Sequence, residues 1–304
     1  MSDTRTSLMG RIALVTGANS GLGKATATAL AERGATVIMV ARDPVRGAAA
    51  QAEIRDQTGN PSLHLLVADL SSQQEIRGLV EAFEARFDRL DWLINNAGTA
   101  FPERRLSPDG IEMSLAVNHL APFLLTNLLR DRLVAGAPSR VITVGTRIDT
   151  SMDLADLNWQ RRRYRMMAAY GQSKLGNIHF THELARRLEG TGVSAFCVFP
   201  GVFMSNLGKT DGAQGAFWRI VGLLAGWAMP SAAQAAERVL HLILAPEAEA
   251  AGLHGRYVAA RGRPIEPPSQ ARDPKINRRV WALSEELTDA DRRVRGVDGS
   301  ASNG

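Results

Sequence analysis

Short apolar runs alternate with longer amphipathic segments along most of the chain, and this alternation restricts the fold more than any other feature. Strands are predicted for seven apolar runs, at residues 11–17, 35–42, 63–70, 91–98, 139–145, 193–201 and 255–259. Apolar residues recur at helical spacing between them, as in residues 22–33 and 73–89. The alternation predicts an α/β fold, with a single doubly wound parallel sheet of about seven strands and helices on both faces.

The 304 residues are predicted to form one domain, because no repeat and no linker precedes the region of residues 262–274. We divide this domain into a core at about 10–260, a lid at about 202–230 and a C-terminal extension at about 262–304 without an assigned role. The apolar stretch 215–230 is too short to span a bilayer. It predicts a buried helix or a cover over a hydrophobic pocket, with a membrane-surface helix as the alternative.

The composition is that of a globular protein with a real core, since 45% of the residues are hydrophobic and 22% are charged. The one cysteine, Cys197, excludes an internal disulfide and a thiolate metal cluster, and we expect no metal site. Because Cys197 lies in the apolar run VSAFCVFPG, the sequence predicts a buried and inert thiol.

The charge pattern favours a small-molecule partner. The net charge is only +5, and no aromatic-basic stripe suggests a nucleic acid. The run RRRYR at 161–165 predicts a solvated loop, with attraction to an acidic substrate or a membrane surface as the alternative. The N-terminus has no hydrophobic segment, so we expect a cytoplasmic protein without a transmembrane segment, with peripheral membrane contact as a further option.

A glycine-rich turn, TGANSGLG, follows the first predicted strand. Glycines there let the backbone approach a diphosphate, and the N-terminus of the next helix supplies N–H donors and a positive dipole end. The spacing G-x-x-x-G-x-G differs from the more familiar G-x-G-x-x-G, and a tight turn alone would also use glycine. Its place in the first βαβ unit favours a Rossmann-type dinucleotide site with six candidate residues: Gly17, Asn19, Ser20, Gly21, Leu22 and Gly23.

The end of the second predicted strand, VARDP, bears on which dinucleotide binds. Dinucleotide folds often carry an acidic residue there for the ribose hydroxyls. Ala41 has no carboxylate, whereas Arg42 can pair with a 2′-phosphate. We therefore predict NADP (NADPH) as the cofactor. NAD is less favoured, since only Asp43 could reach a ribose, and a plain surface role is the alternative for Arg42.

Six short motifs follow one another in this order: TGANSGLG, ADL, INNAG, VNHL, YGQSK and FPG. Together they resemble the short-chain dehydrogenase/reductase family over about residues 10–260. Three stretches are similar to its retinol-dehydrogenase-like branch: DGIEMSLAVNHLAPFLLTNLL, THELARRLEGTGV and VWALSEE. The resemblance implies an NAD(P)-dependent enzyme that interconverts C=O and CH–OH groups, and it implies a homo-oligomer.

The resemblance also implies roles for the residues that match the family's motifs. Asp69, with Leu70 beside it, would contact the adenine ring, and Ser205 would lie near the nicotinamide carboxamide. Asn118 would hold a water that relays protons to Lys174. Six further residues would line the cofactor: Asn96, Ala97 and Gly98 after the fourth strand, and Pro200, Gly201 and Val202 after the sixth.

The stretch AAYGQSKLGN places Tyr170 and Lys174 four residues apart, on the same side of a helix. This spacing is common in helices, and it is the resemblance that implies a catalytic pair. The chemistry agrees, because hydride reduction of a carbonyl requires a proton donor at the oxygen. A phenol has a pKa of about 10, and we expect the Lys174 ammonium to lower it, so that Tyr170 exchanges a proton near neutrality.

One position departs from the family's pattern. The family carries a catalytic serine, often one of paired serines, where this chain has Gly145 and Thr146. The role falls on Thr146, whose hydroxyl can still hydrogen-bond a carbonyl although its β-branch restricts χ1. The long stretch between Thr146 and Tyr170 predicts an added loop beside the pocket. In this loop we expect Trp159 to pack structurally, while Tyr164 is a candidate substrate contact.

The leading hypothesis is an NADP-dependent oxidoreductase that acts on a mainly apolar small molecule, such as a lipophilic aldehyde or ketone, with Tyr170 as general acid and base. The alternative is a catalytically weak NADP-binding redox sensor, which the departure at residues 145–146 would support. Asn118 and the Tyr170–Lys174 pair favour the enzyme.

Overall fold

The computed structural model describes residues 6–147, 150–201 and 231–288. The predicted lid at 202–230, with Val202 and Ser205, lies outside the described residues, as does the end of the C-terminal extension.

The seven predicted strands are confirmed, and they form one parallel sheet in the order β3-β2-β1-β4-β5-β6-β7. Their bounds are β1 Ile12–Thr16, β2 Thr36–Ala41, β3 Leu63–Val67, β4 Trp92–Asn95, β5 Ser139–Val144, β6 Val193–Val198 and β7 Tyr257–Val258.

Helices join the strands. Before β5 they are α1 Gly21–Ala31, α2 Pro44–Thr58, α3 Gln73–Glu84, α4 Met113–Leu115, a π-helical turn Ala116–Leu120, α5 Ala121–Leu128 and α6 Arg130–Ala135. After β5 they are α7 Met166–Arg187, α8 Ala232–Leu244, α9 Glu247–Leu253, short 3₁₀ turns at Ala260–Gly262 and Ser269–Arg272, and α10 Pro274–Thr288.

Local sequence chemistry explains where the helices begin and end. Helix α2 has Pro44 in its first turn and ends at Gly59, whose φ of +67° is a left-handed conformation that glycine adopts without strain. The Ser72 hydroxyl accepts a hydrogen bond from the Glu75 N–H at 3.3 Å and so caps α3.

Two apolar layers cover the two faces of the sheet. One contains buried residues of α1, α2 and α8, and the other contains buried residues of α3, α5 and α7. The strands are therefore buried on both sides, which is the reason for their near-continuous apolar sequences. The doubly wound α/β prediction is confirmed.

The strand order reverses direction between β1 and β4, because β2 and β3 lie on one side of β1 and the later strands on the other. In open parallel sheets, the crevice at the carboxyl ends of two such strands is where ligands bind. The glycine-rich turn follows β1 and the NNAG segment follows β4, so the topology brings these two motifs to the same edge.

The described part of the C-terminal extension packs into the core, which therefore does not end near residue 260. Trp281 of α10 is 3% exposed. Its ring stacks on Phe180 of α7, with centroids 5.8 Å apart, and meets Phe123 of α5 edge-on at 4.7 Å. Arg187 covers the same indole, with its guanidinium 4.3 Å from the ring centroid.

Candidate active site

The glycine-rich turn is shaped to hold an anionic group. Gly17 and Gly21 have φ values of +66° and +54°. A Cβ added to Gly23 would overlap the carbonyl oxygen of Gly17, so only glycine fits there. Ser20 stands at the N-cap of α1 without forming a side-chain cap, within the part of the chain that the structure describes. The first backbone N–H groups of α1 can therefore serve a phosphate, which fits the predicted dinucleotide.

Thr16, at the end of β1, ties the NNAG segment to the glycine-rich turn. Its hydroxyl accepts hydrogen bonds from the backbone N–H groups of Asn96 at 2.9 Å and Ala97 at 3.0 Å. The Asn96 amide donates to the Thr16 carbonyl at 2.8 Å. Thr16 is not among the site residues predicted from the sequence, although its place directly before Gly17 was the available signal.

The two candidates for recognition of the adenosine ribose have different surroundings. Asp43 accepts hydrogen bonds from the backbone N–H groups of Val45 at 2.9 Å and Arg46 at 3.0 Å, so its carboxylate caps α2. Arg42 is exposed, and no hydrogen bond or ion pair to another described residue engages its guanidinium. Further along the same edge, the Asp69 carboxylate accepts from the Ser71 N–H at 2.9 Å.

Asn118 lies in the π-helical turn Ala116–Leu120, a form of backbone that occurs often at functional sites. Its side-chain oxygen accepts from the Thr99 N–H at 2.7 Å. Its amide donates to the Thr99 carbonyl at 2.8 Å and to the Ser173 hydroxyl at 2.9 Å. The side chain is fully buried and fixed in orientation by these three bonds.

Lys174 is buried close to Asn118. A Cβ added to Gly98 would lie 3.3 Å from the Lys174 Nζ and 3.5 Å from the Asn118 Oδ1, so both side chains meet beside the NNAG loop. The Lys174 ammonium donates to the Val144 carbonyl at 2.9 Å. Burial lowers the pKa of Lys174 to about 8, which brings it within reach of neutrality.

Tyr170 lies one helical turn before Lys174, and the Thr146 side chain lies close enough to its phenol to act on the pKa of Tyr170. Burial raises the pKa of Tyr170, and the Thr146 side chain offsets this only in part. The expectation that Lys174 lowers this pKa is therefore not met in this structure. The reason is that the ammonium is directed at the Val144 carbonyl, while desolvation of the phenol dominates.

Packing explains the departure at Gly145. A Cβ added there would lie 2.6 Å from the Sγ of Cys197 and 3.5 Å from the ring of Tyr257. A serine in place of Gly145 would force the side chain of Cys197, on the neighbouring strand, to shift. Cys197 is buried as predicted, and burial raises the pKa of its thiol to about 12, which makes it inert.

The loop before α7 packs against the site rather than extending into solvent. Trp159 is 5% exposed, as expected for a structural role, and the guanidinium of Arg162 lies 3.7 Å from its ring centroid. Arg162 also pairs with Asp156 and donates to the side-chain oxygen of Gln172 on α7. The basic run is solvated only at alternate positions, the exposed residues being Arg161, Arg163 and Arg165.

Tyr164 joins this loop to the helix that precedes Asn118. Its hydroxyl donates to the Glu112 carboxylate at 3.0 Å. That carboxylate also accepts from the N–H groups of Ser114 and Leu115, at 2.9 and 2.8 Å, and so caps α4. Burial and the charge of Glu112 raise the pKa of Tyr164 to about 12.

The loop after β6 is described only through Pro200 and Gly201. Gly201 has a φ of +92°, and a Cβ there would overlap the guanidinium of Arg238 on α8. Among the described residues, no cluster of His, Cys, Asp and Glu side chains could hold a metal ion. No helix within the described ranges is long and apolar enough to cross a membrane.

A phosphate-binding turn at the switch point of a parallel sheet, with a tyrosine–lysine helix beside it, defines a class of dinucleotide-dependent oxidoreductases. The model of a family described as short chain dehydrogenase matches residues 11–215. Over 288 residues the chain is 38% identical to retinol dehydrogenase 13 of Homo sapiens, covering 93% of this chain and 86% of that protein. It is 39% identical over 286 residues to retinol dehydrogenase 12 of Mus musculus, covering 93% and 88%.

The chain therefore belongs to the short-chain dehydrogenase/reductase family, in its retinol-dehydrogenase-like branch, and is an oxidoreductase. An uncharacterised protein from Mycobacterium paratuberculosis has a similar solved structure, with a TM-score of 0.73 and 34% identity, covering 93% of this chain and 95% of that one. A short chain dehydrogenase from Burkholderia cenocepacia in complex with NADP has a TM-score of 0.63 and 28% identity, covering 85% and 99%.

Proposed function

We propose that this oxidoreductase uses NADP to interconvert a carbonyl and an alcohol on a lipophilic small molecule, with Tyr170 as the general acid and base. The observation that carries the proposal is the phenol of Tyr170 beside the Thr146 side chain, one helical turn from the buried Lys174. Two hydroxyl groups side by side can bind one carbonyl oxygen, and one of them can transfer a proton to it.

The bound NADPH would supply the hydride, and the chain supplies the proton and the orientation. In the direction of reduction, Thr146 holds the carbonyl oxygen while Tyr170 donates its proton as negative charge develops there. Lys174, with a pKa of about 8, exchanges protons readily near neutrality and can restore the proton of Tyr170. Asn118 keeps one wall of the site rigid. In the reverse direction Tyr170 accepts the proton of an alcohol.

The preference for NADP over NAD is supported by the end of β2. The Asp43 carboxylate is used in capping α2, and a ribose hydroxyl would have to compete with two backbone N–H groups for it. Arg42 is exposed at the same position and can pair with a 2′-phosphate. The NADP in the Burkholderia cenocepacia relative agrees with this proposal.

The lipophilic substrate is supported by relatives that are named retinol dehydrogenases. The cover formed by residues 202–230, a homo-oligomeric assembly and a cytoplasmic location stay predictions. The redox-sensor alternative loses its support for two reasons. The contact with Cys197 explains on steric grounds why residue 145 is glycine, and the chain belongs to an enzyme family.

The test is NADPH oxidation by purified protein with a panel of lipophilic aldehydes and ketones, comparing the parent with Tyr170→Phe. We expect Tyr170→Phe to lose turnover by roughly 100-fold or more while it still binds NADPH, since only the proton donor is removed. Tyr164→Phe is the matched control, because it removes a phenol outside the reacting site and should keep kcat. Equal kcat in Tyr170→Phe and the parent would contradict the assignment.

A further inference from the structure

His119 follows Asn118 in the π-helical turn and points into a notch in α7. The side chain is 2% exposed. A Cβ added to Gly176 would lie 2.8 Å from the His119 ring, so the notch exists because residue 176 is glycine. Close packing against α7 at Gly176 therefore holds the His119 ring on one side.

A hydrogen bond to the C-terminal helix holds the ring on the other side. The Nε2 of His119 lies 2.8 Å from the hydroxyl oxygen of Ser284 on α10. That hydroxyl gives its own proton to the Val280 carbonyl, also at 2.8 Å. With the one hydroxyl proton given to that carbonyl, His119 is the donor to the hydroxyl oxygen through Nε2–H. Burial lowers the pKa of His119 to about 4, in keeping with a neutral ring that carries one N–H.

The two adjacent side chains of the turn are thus held by two separate sets of contacts. Asn118 is fixed by Thr99 and Ser173 in the candidate active site, whereas His119 is fixed by Gly176 and Ser284. A π-helical turn contains one residue more than an α-helical path, and a slip back to the α form would rotate both side chains. The contacts of His119 with Gly176 and Ser284 oppose such a slip.

We propose that His119 and Ser284 are positioning residues that keep the π-helical turn in register and so hold Asn118 against Thr99 and Ser173. The C-terminal helix α10 then supports the active site through its hydrogen bond to the π-helical turn, a role that the sequence analysis did not predict. The catalytic consequence rests on the function proposed above, while the structural consequence does not.

A second bond between α7 and α10 provides the control. The Nδ1 of His179 lies 2.6 Å from the side-chain oxygen of Asn277, and among the described residues no side-chain hydrogen bond links either residue to the π-helical turn. Asn277→Ala should loosen α10 at least as much as Ser284→Ala, because Asn277 also donates to the Ala271 carbonyl. If Ser284 served only to dock α10 on α7, Ser284→Ala and Asn277→Ala would have the same effect on the π-helical turn.

The experiment is backbone hydrogen exchange on the full chain, read in peptides that cover residue 99 and residues 116–120. For Ser284→Ala we expect exchange to be about tenfold faster in both peptides, since a buried donor loses its acceptor. Ser284→Thr, which keeps the hydroxyl, should restore the parent rate, and Asn277→Ala should leave these peptides at the parent rate. Parent-like exchange in Ser284→Ala, or equal acceleration in Asn277→Ala, overturns the proposal.

Steady-state kinetics give the second readout. Ser284→Ala should lower kcat by about tenfold and shift the pH profile of kcat, with the KM for NADPH unchanged, because no hydrogen bond among the described residues joins α10 to the glycine-rich turn. An equal loss of kcat in Asn277→Ala contradicts a positioning role. Exchange needs no turnover, so a protein without activity but with the expected exchange pattern refutes the proposed function and retains the positioning role.

Discussion

Gly145 and Cys197 show how a departure from a family pattern can follow from one neighbouring side chain. The 2.6 Å that separates the Sγ of Cys197 from a Cβ at residue 145 is far below a normal contact, and both positions lie in or next to the packed sheet. The hydroxyl of Thr146 remains available next to Tyr170, so the chain keeps one of the two family hydroxyls.

Gly145→Ser is expected to destabilise the protein by about 1–3 kcal/mol, because it forces an extra side chain against a buried thiol. Adding Cys197→Ala should recover a large part of that loss, since alanine has no atom where the Sγ stands. Urea unfolding of the parent, both single variants and the double variant measures the coupling free energy. Additive free energies of unfolding in this cycle would contradict the steric account.

Arg42 determines the expected cofactor preference. Arg42→Leu should raise the KM for NADPH roughly 10- to 100-fold and leave the KM for NADH almost unchanged, because only NADPH carries the 2′-phosphate. Arg55→Leu, which removes an exposed arginine from the last turn of α2, is the matched control. An unchanged ratio of the two KM values in Arg42→Leu would show that the phosphate is bound elsewhere.

The sequence predicts those site residues that motifs mark, and it misses those that only tertiary contact creates. Tyr170, Lys174 and Asn118 follow from family motifs, and the structure brings all of them to one edge of the sheet. Thr16 and Ser173 were missed, because their roles depend on hydrogen bonds to residues 80 and 55 positions away along the chain. No local periodicity carries such information.

At the scale of elements, the loop before α7 and the helix before Asn118 are fastened together through Tyr164 and Glu112. Glu112 is fully buried, and its carboxylate has three hydrogen-bond donors. A carboxylate in that setting needs each donor, since burial makes an unpaired charge costly.

Tyr164→Phe is expected to lower the free energy of unfolding by about 1–3 kcal/mol, because a buried carboxylate loses a donor. We also expect a higher KM for bulky substrates and an unchanged kcat, since the loop lies beside the pocket and the reacting groups stay in place. Thermal unfolding and substrate kinetics measure the two effects. Arg163→Ala, an exposed change in the same loop, should alter neither, and a Tyr164→Phe protein as stable as the parent argues against this fastening.

At the scale of the whole molecule, the doubly wound parallel sheet was predictable from the alternation of strands and helices and from the handedness of crossovers. The docking of α10 could not be predicted, because its contacts with α7 depend on histidines and asparagines that look like ordinary polar residues in the sequence. His119, His179 and His182 all face this buried interface, and the pKa of each is lowered, chiefly by burial.

These histidines predict a loss of stability in acid. His119 and His179 have pKa values of about 4 in the folded protein, against an ordinary value of 6.5. As pH falls from 6.5 towards 4, these histidines therefore bind protons in the unfolded chain but not in the folded protein. Each histidine lowers the free energy of unfolding by about 3 kcal/mol across that range. Above pH 6.5 both histidines are neutral in the folded and the unfolded chain, so they cause no loss of stability there.

Urea unfolding at pH 7, 6 and 5 measures this effect. His179→Gln keeps a side-chain amide for Asn277 and removes one titrating ring, so its free energy of unfolding should fall less steeply with pH than that of the parent. His64→Gln, on β3 and away from α10, is the control with only a small expected change. Identical slopes for His179→Gln and the parent would mean that the interface does not titrate in this range.

The contact between residues 145 and 197 also sets an order in which this lineage can change. A descendant that acquires paired serines at residues 145 and 146 is expected first to replace Cys197 by a smaller residue and only then to gain a side chain at residue 145. The opposite order passes through an overpacked intermediate that selection against unstable proteins removes. Because the two residues are separate positions in the chain, no single substitution both removes the contact and places a serine at residue 145.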